Sequence, residues 1–100
     1  MIEDDYFFIV YRILDCLYIN FKEGNGVKFP ELRQIFSDIN GHYLCNILES
    51  LQDMGDIKDF ETTRESFLTY KITMAGIEYL LNDTRMLDAA MNIEPEYVNI

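Results

Sequence analysis

The hydrophobic pattern changes its period within residues 41–72, which read GHYLCNILESLQDMGDIKDFETTRESFLTYKI. In the first half, four apolar side chains recur at the spacing of one helix face: Leu44, Ile47, Leu48 and Leu51. Gly55 follows and ends the helix, since glycine tolerates the left-handed backbone that closes many helices. From Ile57 to Ile72, apolar residues flank a polar run, a pattern typical of a β-hairpin with a polar turn. This stretch therefore predicts a helix followed by a hairpin.

Two further helices are expected before this stretch. Asp4 and Asp5 precede a long apolar-periodic segment, and acidic residues at a helix start complement its dipole. This first helix ends near Lys22, before a glycine-rich turn. Pro30 suits the first turn of a second, short helix, and Asn40 is a suitable N-cap for the third helix.

Two more helices are expected after the hairpin. Thr73 can cap the first of them, and Asn82-Asp83 marks the start of the second. We therefore expect a mainly α fold with a small β-hairpin (α+β): a winged helix-turn-helix with three N-terminal helices, a wing and C-terminal helices. We place the single domain at residues 1–92 and an acidic, flexible tail at residues 93–100.

The composition is that of a folded and strongly acidic chain. Its 100 residues are 49% apolar and 26% charged, which is too apolar for intrinsic disorder. The 18 Asp and Glu outnumber the 8 Lys and Arg, so the net charge is −10. Such a surface repels phosphate and disfavours sequence-independent binding of nucleic acid.

Several features indicate a cytoplasmic chain. The N-terminus is acidic, whereas a secretory signal begins with cations. The apolar run from Tyr6 to Phe21 is interrupted by polar residues and is too short to cross a bilayer, so we expect no membrane partner. Cys16 and Cys45 lie in apolar helical stretches, which favours reduced and buried thiols over the alternative of a disulfide.

Three motifs resemble a known family. They are Asp4-Asp5-Tyr6-Phe7 with the apolar residues that follow it, Ile72-Thr73-Met74-Ala75-Gly76-Ile77-Glu78-Tyr79-Leu80, and Asn82-Asp83-Thr84-Arg85-Met86. Together they resemble the YjcQ family, small winged-helix proteins common in bacterial genomes and their phages. The resemblance spans most of residues 4–91 and implies a winged-helix fold and an association with mobile elements, but no reaction. In the last helix, where family members tend to carry lysines, this chain reads Asp88-Ala89-Ala90-Met91-Asn92.

The third predicted helix is the one that a winged helix places in the major groove of DNA. Its outward-facing residues would be His42, Asn46, Glu49 and Asp53. Asn46 could read adenine and Glu49 could accept a hydrogen bond from cytosine. However, no Lys or Arg occurs between Arg33 and Lys58 to hold phosphate. This surface therefore favours a basic protein partner over DNA.

The hairpin carries the cations that would touch DNA, if DNA is bound: Lys58, Arg64 and Lys71. Arg64 lies at the expected tip of the wing. Asp59, Glu61 and Glu65 offset these charges, so a solvated hairpin is the alternative interpretation.

The first predicted helix is apolar on more than one side, which leaves two possibilities open. The last helix could fold back over it within one chain. Alternatively, both helices could form a homodimer interface, which we favour because Met and aromatic residues are enriched at interfaces and two-fold dimers are common. The expected interface residues are Phe8, Cys16, Ile19, Met86, Leu87 and Met91.

No pattern in the sequence indicates an enzyme, a metal site or a cofactor. His42 and Cys45 lie three residues apart on one helix, but no catalytic signature surrounds them. One His and two Cys cannot complete a structural zinc site. The acidic cluster at 53–61 lacks the spacing of a calcium loop.

Three classes of function fit these observations. We favour a non-enzymatic binding module that docks its acidic third helix on a basic protein. Such a module could inhibit a nucleic-acid-binding host protein by mimicking nucleic-acid charge, as a phage anti-defence factor would. The alternative is a dimeric transcriptional regulator that binds duplex DNA, which rests on analogy of fold. A structural subunit or assembly factor is the third class.

Overall fold

The computed structural model describes the backbone of residues 5–61 and 68–99, with side chains over 6–59 and 68–91. The elements of this part of the chain are, in order, α1 (Asp5–Lys22), β1 (Val27–Lys28), α2 (Phe29–Ile35), α3 (Gly41–Asp53), β2 (Ile57–Glu61), β3 (Leu68–Ile72), α4 (Met74–Asn82) and α5 (Thr84–Asn99). The expected order of three helices, a hairpin and two further helices is confirmed. Helix α5 continues past residue 92, where the sequence places the start of a tail.

The three strands form one antiparallel sheet in the order β1-β3-β2. Strands β2 and β3 are the expected hairpin, with Ile57 opposite Ile72. Strand β1 was not expected, because two residues carry no periodic pattern. It places Val27 opposite Tyr70. The fold is therefore a winged helix of the α+β class, with one strand more than the predicted hairpin.

The hydrophobic core lies between α1, α3 and one face of the sheet. Helix α3 contributes the four side chains that its period indicates, each 1% exposed or less: Leu44, Ile47, Leu48 and Leu51. Helix α1 and the sheet contribute side chains that are 3% exposed or less: Val10, Ile13, Leu14, Leu17, Val27, Ile57 and Ile72. Because one face of α3 is sealed in this core, the other face must point to solvent.

Helix α5 folds back on α1 within the single chain. Met86 in its first turn is fully buried, and the Arg85 guanidinium lies 5.0 Å from the centre of the Phe7 ring. The last helix therefore folds back over the first, which is one of the two possibilities that the sequence left open. The expectation that Met86 lies at a subunit interface is wrong, because its side chain fills the core of the monomer.

Both cysteines are free thiols in the structure. Cys16 is half-buried, and Cys45 is exposed. The expectation of a buried thiol is therefore wrong for Cys45, because this residue flanks the apolar face of α3 and does not lie on it.

One junction joins the turn after α3, the sheet and the start of α4. The Thr73 hydroxyl accepts a hydrogen bond from the Gly76 N–H at 3.0 Å, which confirms Thr73 as the N-cap of α4. The same hydroxyl donates to the Gly55 carbonyl at 2.6 Å. The Thr73 N–H donates to the Asp56 carbonyl at 3.0 Å. Thr73 therefore connects the turn after α3 to the first turn of α4 by hydrogen bonds.

Helix α4 approaches this turn so closely that residue 76 must lack a side chain. A Cβ atom at position 76 would overlap the Asp56 carbonyl oxygen and lie 2.8 Å from Ile72 Cγ1. Carbon atoms in contact normally lie about 3.5–4.0 Å apart. Gly76 has no positive φ, so packing and not backbone conformation requires the glycine.

We expect Gly76→Ala to lower the free energy of unfolding by about 1–3 kcal/mol, the usual cost of overpacking. The sign of this change identifies overpacking, because a Gly→Ala substitution inside a helix otherwise raises the free energy of unfolding by about 1 kcal/mol. Urea denaturation checks this. The control is Glu78→Ala, an exposed position on the same helix, where we expect a change within about 0.5 kcal/mol. A Gly76→Ala variant as stable as the parent would contradict the close approach.

Asp56 is a buried carboxylate at the same junction. The residue is 6% exposed, and its Oδ2 has no hydrogen-bond partner within the described part of the chain. Burial raises the pKa of the Asp56 carboxyl above its ordinary value of 3.8. Its ionised form therefore costs folding free energy at neutral pH.

We expect the stability gained by Asp56→Asn, relative to the parent, to grow as the pH rises. Because the folded chain raises this pKa, protonation of Asp56 stabilises the fold fully below the ordinary pKa of 3.8, and this stability is lost as the pH passes the folded-state pKa. Urea denaturation between about pH 3 and pH 7 measures the difference. Asp53→Asn, at an exposed position, controls for the loss of one negative charge. A difference that does not change with pH would refute the expectation.

Candidate functional site

Four polar side chains form a strip along the outside of α3. We name it the α3 face, and its members, all exposed, are His42, Asn46, Glu49 and Asp53. Their spacing of three and four residues puts them one above the other on the helix. The structure thus brings together all four residues that the sequence placed on this surface, with Cys45 exposed beside them.

Asn40 determines where the α3 face begins. Its side-chain oxygen Oδ1 accepts hydrogen bonds from the N–H groups of His42 at 2.9 Å and Tyr43 at 3.2 Å. The predicted N-cap is therefore confirmed. Next to it, a Cβ at Gly41 would lie 3.0 Å from the Arg33 guanidinium carbon. The glycine leaves room for this guanidinium at the N-terminal end of α3.

The other end of the α3 face is acidic, against the preference of the helix. The C-terminal end of a helix carries partial negative charge, so a cation there stabilises the helix by about 0.3–1 kcal/mol. A carboxylate at the same end is repelled and destabilises the helix. Glu49 and Asp53 nevertheless lie near this end, and the last turn of α3 has no basic residue. Within the described residues, neither carboxylate has a cation at salt-bridge distance. Helix stability therefore does not explain these two acids.

A shallow cavity of about 210 Å³ adjoins the N-terminal end of the α3 face. It is lined by Phe8, Ile9, Arg12, Asp38, Ile39, Asn40 and Tyr43. Its volume is below the range of about 300–1,000 Å³ that is typical of small-molecule sites. The cavity does not by itself indicate a substrate or cofactor.

Arg12 in this cavity ties α1 to the loop that precedes α3. Its guanidinium lies 5.1 Å from the centre of the Phe36 ring and 5.8 Å from that of Phe8. Its Nη1 donates to Asp38 Oδ2 at 3.0 Å. This hydrogen bond holds the pKa of the Asp38 carboxyl below its ordinary value of 3.8. The pair is exposed, so it orients the loop more than it stabilises the fold.

The structure adds one cation to the hairpin cations that the sequence singled out. Lys58 and Lys71 lie directly opposite each other on β2 and β3, whereas Arg64 lies outside the described residues. Lys28 lies opposite Thr69, on the same face of the sheet. Sequence reasoning missed Lys28 because it is far from the hairpin in the chain, and only the pairing of β1 with β3 brings it there.

Five of the six residues expected at a dimer interface remain accessible. Ile19 is 48% exposed, Leu87 46% and Met91 67%, while Phe8 and Cys16 are half-buried. The homodimer stays a prediction, with Met86 removed from its interface.

In the part of the chain that the structure describes, no group of three or more His, Cys, Asp and Glu is placed to hold a metal ion. Among the same residues, no helix has both the length and the apolar character needed to cross a bilayer.

The fold and the exposed polar α3 face define a small winged-helix domain. The family model described as YjcQ protein matches residues 11–94, and the chain belongs to this family. The matched region runs from the first half of α1 into α5, so it includes the whole sheet and the α3 face. Comparisons with curated proteins and with solved structures gave no match.

We expect Asn40→Ala to lower the free energy of unfolding by about 1 kcal/mol, because two N–H groups of the first turn of α3 lose their acceptor. Amide hydrogen exchange should accelerate at His42 and Tyr43, because their N–H groups donate hydrogen bonds to Asn40 Oδ1. Asn46→Ala, at an exposed position in the middle of the same helix, is the matched control and should leave both quantities nearly unchanged. Equal effects of the two substitutions would show that Asn40 does not cap the helix.

Proposed function

We propose that this chain is a non-enzymatic binding module that docks its α3 face on a basic surface of another protein. The observation that carries the proposal is the pair of exposed acids at the C-terminal end of α3, Glu49 and Asp53. They oppose the helix dipole and have no cationic partner among the described residues. A basic partner would supply the missing counter-charge.

The charge around the α3 face supports a protein partner over DNA. A helix that enters the major groove is normally flanked by cations that bind phosphate. Here residues 34–57 contain no Lys or Arg, and the Arg33 guanidinium lies at the N-terminal end of α3 only. DNA phosphates would meet uncompensated carboxylates at the other end, whereas basic side chains would find favourable partners there.

The partner that fits best is a protein whose own basic surface binds nucleic acid. Basic patches of this kind are the electrostatic footprint of nucleic-acid-binding proteins. An acidic helix on such a patch would exclude the nucleic acid, so the chain would act as an inhibitor that imitates its charge. We extend the proposal to a phage or mobile-element origin, which the YjcQ resemblance favours, and to action in the cytoplasm as an anti-defence factor.

Charge reversal on the α3 face tests this function. In affinity purification from host cells with mass spectrometry, Glu49→Lys and Asp53→Lys should each lose a partner that the parent chain retains, because like charges would then meet across the interface. Glu78→Lys makes the same change at an exposed position on α4 and should retain the partner. A partner lost equally with all three variants, or no partner recovered with the parent, would count against the proposal.

The same variants distinguish the alternative function, a dimeric regulator that binds duplex DNA through α3. Glu49→Lys and Asp53→Lys would then strengthen binding, because they remove repulsion from phosphate. Asn46, exposed in the middle of the α3 face, is the residue that could read adenine. Stronger binding by the charge-reversed variants, together with sequence preference lost on Asn46→Ala, would favour the regulator.

A further inference from the structure

Two exposed methionines lie at the junction between α3 and α4. Met54 follows the last residue of α3, and Met74 is the first residue of α4. They are 63% and 69% exposed. The Thr73 hydroxyl donates to the Gly55 carbonyl at 2.6 Å, and these two residues are the direct neighbours of Met74 and Met54 in the chain. One hydrogen bond therefore keeps the two methionines near each other, and we name them the methionine pair.

Neither methionine side chain is required by the local structure. Thr73 supplies the N-cap of α4, and at the end of α3 the Met54 backbone N–H donates to the Ser50 carbonyl at 3.0 Å. Single apolar residues on a surface are common, but two that are held together offer apolar area whose burial by a partner is favourable. Methionine is also flexible and polarisable, and surfaces that bind other proteins often use it.

Acidic side chains border the methionine pair. Asp53 directly precedes Met54, and Glu49 lies about one helical turn before Asp53. Both acids are exposed, and neither has a cation at salt-bridge distance in the part of the chain that the structure describes. The surface thus combines apolar area with uncompensated negative charge. It is matched by a partner that combines apolar side chains with positive charge.

The same acids disfavour two other occupants of this surface. A second copy of the chain in a two-fold dimer would present the same patch, so Glu49 and Asp53 would meet like charges across the interface. The cytoplasmic leaflet of a membrane is anionic and attracts basic segments, so it would repel these carboxylates. A basic protein segment is the occupant that suits both the apolar and the charged part.

We propose that the methionine pair, together with Glu49 and Asp53, binds an amphipathic basic helix of the partner protein. This inference rests on the proposed function and adds an apolar contact to it. Glu49 and Asp53 are four residues apart on α3, about 6 Å along its axis. Lys or Arg side chains four residues apart on the partner's helix have the same spacing. Apolar side chains on the neighbouring stripe of that helix would contact the methionine pair.

Two synthetic peptides of about 18 residues, long enough to form helices, test the proposal by fluorescence anisotropy with the full chain. Both carry the same number of Lys residues, and one has Leu along the neighbouring stripe where the other has Gln. At about 150 mM salt, we expect the Lys/Leu peptide to bind at least about tenfold more tightly, because apolar burial adds to the ionic contacts. Equal affinity would overturn the proposal, since charge alone would then explain binding.

Substitutions locate the apolar contact. Met54→Gln and Met74→Gln should each weaken binding of the Lys/Leu peptide about fivefold, at low and high salt alike. Glu49→Gln should weaken it mainly at low salt, because salt screens exposed charges. Met91→Gln, at a 67% exposed position on α5, is the matched control and should bind like the parent. Equal loss with Met91→Gln, or no loss with either variant of the methionine pair, would contradict the proposal.

Methionine methyl groups give a direct measurement of the contact. In NMR spectra of the chain labelled with ¹³C at these groups, the Lys/Leu peptide should shift the signals of Met54 and Met74 and leave that of Met91 unchanged. Thermal unfolding verifies that each variant is folded. Light scattering detects the competing occupant: a parent chain that is dimeric and becomes monomeric on Met54→Gln would assign the surface to a second copy and overturn the proposal.

Failure of this proposal is distinguishable from failure of the proposed function. If both peptides bind equally and Glu49→Lys abolishes binding, the proposal is wrong, whereas the α3 face remains a site for a basic protein. If neither peptide binds the parent chain at low salt, where attraction between charges is strongest, the proposal and the proposed function are both contradicted.

Discussion

The Thr73 N-cap is the contact on which the rest of this structure depends. Its hydroxyl accepts from the Gly76 N–H and donates to the Gly55 carbonyl, while its N–H donates to the Asp56 carbonyl. Since β2 begins directly after this turn and β3 ends directly before Thr73, the same hydrogen bonds align the hairpin with the end of α3. The absence of a side chain at Gly76 lets α4 close over the junction.

This junction holds α3 and the sheet in a defined arrangement. Helical periodicity puts the core side chains of α3 inward and the acids of the α3 face outward. Strand periodicity separates apolar from charged side chains in the sheet. Ile57 and Ile72 lie on one face, and Lys58 and Lys71 lie on the other. The geometry of each element therefore decides which charged side chains share a face.

The α3 face could be predicted from the sequence because helix period and burial agree there. Four apolar positions define the inside of α3, and the outside follows from them without any knowledge of neighbouring elements. One of the two predictions that were wrong depended on packing between elements. Met86 was expected at an interface and is in the core, because the local pattern of α5 does not specify whether it packs on its own α1 or on a second chain. Cys45 was expected to be buried, but it lies just beyond the edge of the buried face.

The sequence by itself determined the order of the elements, the caps at Asn40 and Thr73, the exposed α3 face and the resemblance to the YjcQ family. These features arise from residues close together in the chain, where periodicity and capping chemistry act locally. Only the tertiary structure decided the pairing of β1, the approach of Lys28 to the hairpin lysines, the burial of Asp56 and the packing that requires glycine at position 76. Each of these depends on contacts between segments far apart in the chain, and no local pattern encodes which segments will meet.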